Sequence, residues 1–393
     1  MKGARAMAVP DVTSRRLASQ FLTARGPKTA ADVVRALGAV QAQDYAGAKW
    51  ALGQRTRSAT DAEVERELDD GRILRTHVLR PTWHFVAPED IRWMLALTAP
   101  RVNQAMAYHS RFLELTTSVC KRSNDAMAKA LSGGKHLTRA ELSTCLERAG
   151  VKPASGQRLG HLMMNAELDG VVCSGARRGK QFTYALLDER VPRSSAIDRD
   201  EALLELTRRY FATRGPATIR DFSWWSGLTI ADAKRGVQIA ERELESASFN
   251  GNEMWFIPRS RPRSRHPAHL LPNYDEYFIG YKDRSAVGER VGHTDLVTGG
   301  DARITHVAFV DGQLVGQWKR LADKKHAIVE IRLWARLTPD ERDALQSAAE
   351  SFSRFVGQPV VTRGLEGATK PLRSRSSTAD ERRARTPNAS TRR

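Results

Sequence analysis

The spacing of apolar residues changes period several times along the chain, and those changes divide it. Leu17, Phe21 and Leu22 fall on a helical spacing over 11–24, with Asp11 or Thr13 as the cap and Gly26-Pro27 as the stop. Thr29 opens a second helix with Asp32 at its third position, a capping box with Asp in place of Glu, and this helix runs toward Gln41. Ala48, Trp50, Ala51 and Leu52 mark a buried helix. Thr60 starts another, with acids in its first turns where the helix dipole favours them. From Ile73 to Val86 apolar residues alternate with Arg, Thr and His, the pattern of a hairpin with an exposed polar face. Helices followed by such a hairpin outline a winged helix-turn-helix.

The outline returns twice. A long helical connection over 88–131 leads to Thr138 and Glu141, a capping box ahead of an apolar stripe, and then to a helix over 157–168. Two β-rich runs around a tip carrying Arg177, Arg178 and Lys180 make a second wing over 170–186. The third copy has helices over 201–212, from Thr218 and from Thr229, closed by a hairpin at Asn250-Gly251. Arginines 259, 261, 263 and 265 then form an extended basic linker. Beyond it, β-prone runs meet at Asp311-Gly312, a strong hairpin turn, and a strand over 326–334 precedes a helix after Thr338-Pro339. The expected fold is therefore α+β: winged helices over 10–98, 99–190 (with its linker helix) and 191–262, then a β-rich, barrel-like domain over 263–363.

Within the first unit, Gln41-Ala42-Gln43 stands out. Two amides on an otherwise apolar run are costly to place near a core, because each buried amide needs partners for its donors and its acceptor. Residues i and i+2 diverge on a helix but share a face on a strand, so for both to address one centre the chain near Val40 should leave helical geometry.

Charge adds a partner. The 393 residues carry 63 Lys and Arg against 45 Asp and Glu, a net +18, which favours nucleic acid over a membrane surface. From Gly364 onward eight basic residues face three acids with almost no large apolar groups, so 364–393 is read as a disordered basic tail. Cys120, Cys145 and Cys173 are widely spaced and lack clustered histidines, which supports neither a disulfide framework nor a metal centre; no metal or cofactor is expected. No apolar run reaches the eighteen or so residues of a membrane span, and the first residues lack the apolar core of a signal peptide, so the expectation is an internal, cytoplasmic protein.

Gln41-Ala42-Gln43, the Arg80 to His84 segment, the tandem winged helices and the Tyr274-Asp275-Glu276-Tyr277 to Asp283-Arg284 block together resemble the HTH_42 winged-helix superfamily of AlkZ-like bacterial DNA glycosylases. The resemblance spans about residues 10–363. It implies three winged helices and a barrel-like domain in a C shape around duplex DNA, acting as a cofactor-free, nucleoid-associated monomer. It also implies excision of N7-alkylated purines and, in some members, unhooking of interstrand crosslinks. The family's signature is Gln-apolar-Gln in one type and Gln-apolar-Asp in another, and the first is matched by Gln41 and Gln43, the expected catalytic pair.

On this reading Arg75, His77 and Arg80 face phosphates, His84 lies near the lesion, and Arg177, Arg178 and Lys180 add contacts blind to sequence. Asp44 is a possible hidden base. Each residue also has a plainer reading. Trp83 is core, Trp224 and Trp225 pack between units, the second-wing cations are a solvated turn, and Asp275, Glu276 and Asp283 form a structural network with Arg284. The rival function is a non-catalytic winged-helix regulator or damage sensor.

Overall fold

The computed structural model describes residues 5–23, 26–193, 197–258, 267–292, 306–321 and 326–367. The arginine-rich linker, the basic tail from 368 and the start of the strand read from Arg303 lie outside them.

The first helix is Val9–Ser19. It begins earlier than its polar residues suggest, because Pro10 supplies the fixed φ of a first turn and Ala8 takes the cap position. Helix Ala30–Leu37 is capped by Thr29 as expected, but the reciprocal half of the box is missing: the shorter Asp32 carboxylate accepts from the Thr29 hydroxyl and not from its backbone N–H. Helix Tyr45–Gly53 is buried along most of its length, and Asp61–Asp69 begins with a complete capping box of Thr60 and Glu63. Three short strands, Ala39–Gln41, Trp83–Val86 and Leu74–His77, form a sheet in that spatial order.

The long connection is two helices, Ile91–Phe112 and Thr117–Leu131, since Leu113 to Thr116 leave helical geometry and Thr116 caps the second. Helices Arg139–Arg148 and Gly156–Leu168 follow, with a sheet of Leu137–Thr138, Thr183–Leu186 and Val172–Ser174. Helices Arg199–Arg214, Ile219–Ser226 and Ile230–Ile239 precede a hairpin of Glu245–Phe249 and Asn252–Phe256. Asn250 and Gly251 both take positive φ, as a two-residue hairpin turn of this twist requires. A segment missed in the sequence, Arg5–Ala6, pairs parallel with this hairpin.

The last unit is a five-stranded sheet of Ala268–Leu271, Val307–Val310, Gln313–Leu321, Ala327–Leu333 and Val360–Arg363, in chain order, turned at Asp311-Gly312 as expected. Its last strand, also missed, pairs parallel. Helix Pro339–Val356 packs Phe352 and Phe355 against Trp50 of the first unit, in a core cluster that also contains Val40 and Ala42. The segment holding the two glutamines is thus backed by hydrophobic core shared between the two ends of the chain.

Candidate active site

Gly38, at φ +80°, ends the second helix with a backbone turn that an L side chain resists. The chain then becomes extended, and Ala39, Val40 and Gln41 pair with Val86, Phe85 and His84. Ala42 continues the pairing by donating its N–H to the Trp83 carbonyl at 2.7 Å. The departure from helix that the spacing required is present, and Val40 and Ala42 are buried beneath it. Gln41 is 6% exposed, whereas Gln43 is exposed. Asp44 caps the next helix by accepting the Gly47 N–H, and its second oxygen lies 3.8 Å from His306 Nε2.

Gln41 is held from two sides. Its backbone N–H donates to Glu276 Oε1 at 2.9 Å, and its side-chain Oε1 accepts from Arg80 Nη2 at 2.8 Å. Glu276 is fully buried, and its other oxygen accepts from Arg214 Nε and Nη2 and from Trp225 Nε1. Arg214 in turn donates to the Leu37 and Ala39 carbonyls. Buried charges persist when every donor and acceptor is met, and here the pairing ties the strand before Gln41 to two distant parts of the chain.

Beside it, Arg55 grips Asp275 through two 2.8 Å bonds. The acidic block is therefore structural, but its partners are Arg214 and Arg55 rather than Arg284. Arg284 lies over the Phe278 ring, and Asp283 accepts the Ser285 N–H. Nothing adjacent in sequence announces Arg214, which looks like an ordinary last-turn cation ahead of Gly215-Pro216.

The hairpin departs from expectation. Its polar face is turned into protein, because helix Gly156–Leu168 and strand Val172–Ser174 pack against it, and alternation within one unit cannot report cover from another. Arg75 donates from Nε to the Ala42 carbonyl, between the two glutamines, and its guanidinium lies 4.3 Å from the Trp83 ring centre and 4.9 Å from that of Phe182. His77 is buried, paired through Nδ1 with Glu167 and packed on Trp83. His84 is fully buried, its Nδ1 against the Thr82 carbonyl and its Nε2 unpartnered. Neither histidine faces solvent as the sequence implied.

Trp83 is half-buried rather than core. Arg177 stacks between Tyr45 and Phe182 and reaches Glu65, joining the first two units. Arg178 is exposed and paired with Glu141, and Lys180 is exposed. Trp225 is buried as expected, but Trp224 is 43% exposed, with the Arg80 guanidinium 5.9 Å from its ring centre. Among the described residues no group of three or more His, Cys, Asp or Glu is placed to hold a metal.

Two buried histidines give the fold an acid limit. Burial, reinforced by nearby Arg80, holds His84 well below the ordinary histidine range, and burial beside Arg55 pushes His269 down to about 4. Both are neutral in the folded state, so the unfolded chain takes up their protons first. Their contribution is complete above the unfolded value of about 6.5 and declines below it, by about 1.4 kcal/mol per pH unit for each group until its folded value is reached. Urea midpoints measured from pH 7 to 5 are expected to fall, with a shallower slope in His269→Gln; an unchanged slope in that variant refutes the assignment.

The chain has clear relatives. A curated protein of Streptomyces sahachiroi, the interstrand DNA cross-link repair glycosylase, is 26% identical over 365 residues, covering 88% of this chain and 95% of the relative. The solved Streptomyces sahachiroi DNA glycosylase AlkZ superposes with a TM-score of 0.76 over 91% of this chain and 100% of its own, at 24% identity, a likeness of fold. The family described as DNA glycosylase AlkZ-like matches residues 34–355, which include the glutamine pair, Arg80, Arg214 and Glu276. With a match across most of its length, the chain belongs to the AlkZ-like family of DNA glycosylases.

Proposed function

We propose that this glycosylase hydrolyses the N-glycosidic bond of N7-alkylated purines in duplex DNA, with Gln41 and Gln43 at the reacting centre. The observation that carries the reading is an amide pair on a rigid strand end, one member locked and the other open to solvent. An N7-alkylated purine is already cationic, so it leaves without protonation and a general acid is unnecessary. Water adds to C1′ as the bond to N9 breaks, the base departs neutral, and the water's proton passes to solvent. What the protein must supply is orientation of that water and dipoles toward an oxocarbenium-like sugar. Neither glutamine is a base, which suits rejection of undamaged purines.

The relative's name extends the proposal to unhooking interstrand crosslinks built on such purines. We read the three helix-and-sheet units as tandem winged helices over 10–98, 99–190 and 191–262. With the β-rich domain over 263–363 they would clamp DNA as a monomer in a C shape, in the cytoplasm at the nucleoid. Among the second-wing cations, Arg178 and Lys180 are exposed enough to meet phosphates. Arg178→Ala/Lys180→Ala is expected to weaken binding equally across sequences and to reduce the salt slope of log K by about 1 to 2, measured by fluorescence anisotropy; an unchanged slope removes this wing from the interface.

The deciding assay follows release of N7-methylguanine from duplex, with abasic sites revealed by alkali. Release well above the spontaneous rate supports the proposal. Tight sequence-specific binding without release supports the non-catalytic regulator instead.

A further inference from the structure

A glutamine amide has an acceptor end and a donor end of nearly the same shape, and which end faces a neighbour is decided by that neighbour's chemistry. Gln41's neighbour is Arg80, whose guanidinium has five N–H donors and no acceptor. Turning the amide over would set N–H against N–H, losing a charge-assisted bond and leaving the buried amide facing a like donor. The backbone beneath cannot rotate to compensate, since its N–H is spent on Glu276.

Arg80 is itself an unusual placement. It is half-buried, its side-chain hydrogen bond goes to Gln41, its buried Nε is unpartnered, and among the described residues no carboxylate is paired with it. A partly desolvated cation whose side-chain hydrogen bond goes to a neutral amide, with one N–H buried unpaired, is costly if its task is stability alone.

We propose that Arg80 is a positioning residue that fixes the polarity of Gln41, holding the amide oxygen inward so that Gln41 meets the substrate as a hydrogen-bond donor. This rests on the glycosylase reading above and narrows it. A donor-only Gln41 recognises an oxygen, on deoxyribose, phosphate or the attacking water, and takes no proton from that water. Gln43 is held differently: exposed, with its oxygen 3.5 Å from the Trp83 N–H, it is free to turn and accept. The two glutamines are then not interchangeable.

Single-turnover excision of N7-methylguanine from duplex, with DNA affinity and urea midpoint measured alongside, tests the assignment. Arg80→Met should slow the chemical step by about 10- to 100-fold, the scale of one misplaced preorganised donor, and Arg80→Lys should recover part of it. The affinity for DNA should change far less than the rate, a split that a merely structural role would not give. Gln41→Glu keeps an acceptor toward Arg80 but has no N–H to offer, so it should be as slow as Gln41→Met. This second pair decides the matter even if Arg80→Met does not fold.

A Gln41→Glu variant at wild-type rate overturns the proposal, as does a folded Arg80→Met at wild-type rate. In both cases wild-type excision, and with it the function, still stands. Absence of release by the wild-type protein takes down the function and this inference together.

Discussion

Glu276→Gln is expected to cost about 3–5 kcal/mol of unfolding free energy, the penalty of leaving one member of a buried pair uncompensated. The side chain keeps its shape but loses the charge that faces Arg214, and Arg214 has no exposure through which water can substitute. Trp225 and the Gln41 backbone also depend on the same carboxylate. The loss therefore reaches the strand end that carries the glutamine, and excision should fall in the fraction that remains folded. Removing both charges, as Glu276→Gln with Arg214→Met, should recover part of the stability, because the unpaired cation is gone. Urea denaturation of the single and double variants measures this. A single variant within about 1 kcal/mol of wild type, inside the range of ordinary surface substitutions and modest core changes, would show that the pair is not what joins these segments.

Gln41→Ala and Gln43→Ala are each expected to slow excision by about 100-fold or more, the scale for removing one preorganised polar group from a reacting centre. The two should differ in their side effects. Gln41 is buried and bonded to Arg80, so its loss leaves Arg80's Nη2 without an acceptor and should lower stability as well as rate. Gln43 is exposed, and its oxygen lies at the limit of hydrogen-bond length from Trp83. Its loss should leave the urea midpoint close to wild type while the rate falls. If both variants excise at full rate, the assignment of these residues is wrong even where the activity holds, and Asp44 beside His306 becomes the next group to replace.

The contrast between these two residues shows where sequence was informative. Their spacing in an apolar run, and the requirement that i and i+2 share a centre, call for an exit from helix near Val40, and the chain makes it at Gly38 and the strand Ala39–Gln41. Local chemistry was equally legible at the capping box of Thr138 and Glu141, at the helix starts after Thr60 and Thr338, and at the Asn250-Gly251 and Asp311-Gly312 turns, because caps and tight turns are satisfied by residues within a few positions. The hairpin strands themselves were found at Leu74–His77 and Trp83–Val86, since alternation is a local signal.

What the chain order could not report was contact across large separations. Strand alternation said that Arg75, His77 and His84 lie on a polar pattern, but the second unit covers that face and draws His77 onto Glu167, ninety residues away. The acidic block was read with its near neighbour Arg284, while its partners stand 62 and 220 residues distant. Trp224 and Trp225 are adjacent and chemically identical, yet one is buried on Glu276 and the other is exposed beside Arg80.

Most of the helices, the tight turns, the excess of positive charge and the glutamine pair were legible along the chain. Each of these follows from interactions between residues close in the chain or from composition. That Gln41 is clamped between Arg80 and Glu276 while Gln43 stays open to solvent is an outcome of tertiary packing. A buried ion pair, and the direction an amide points, are set by which distant groups share one desolvated volume.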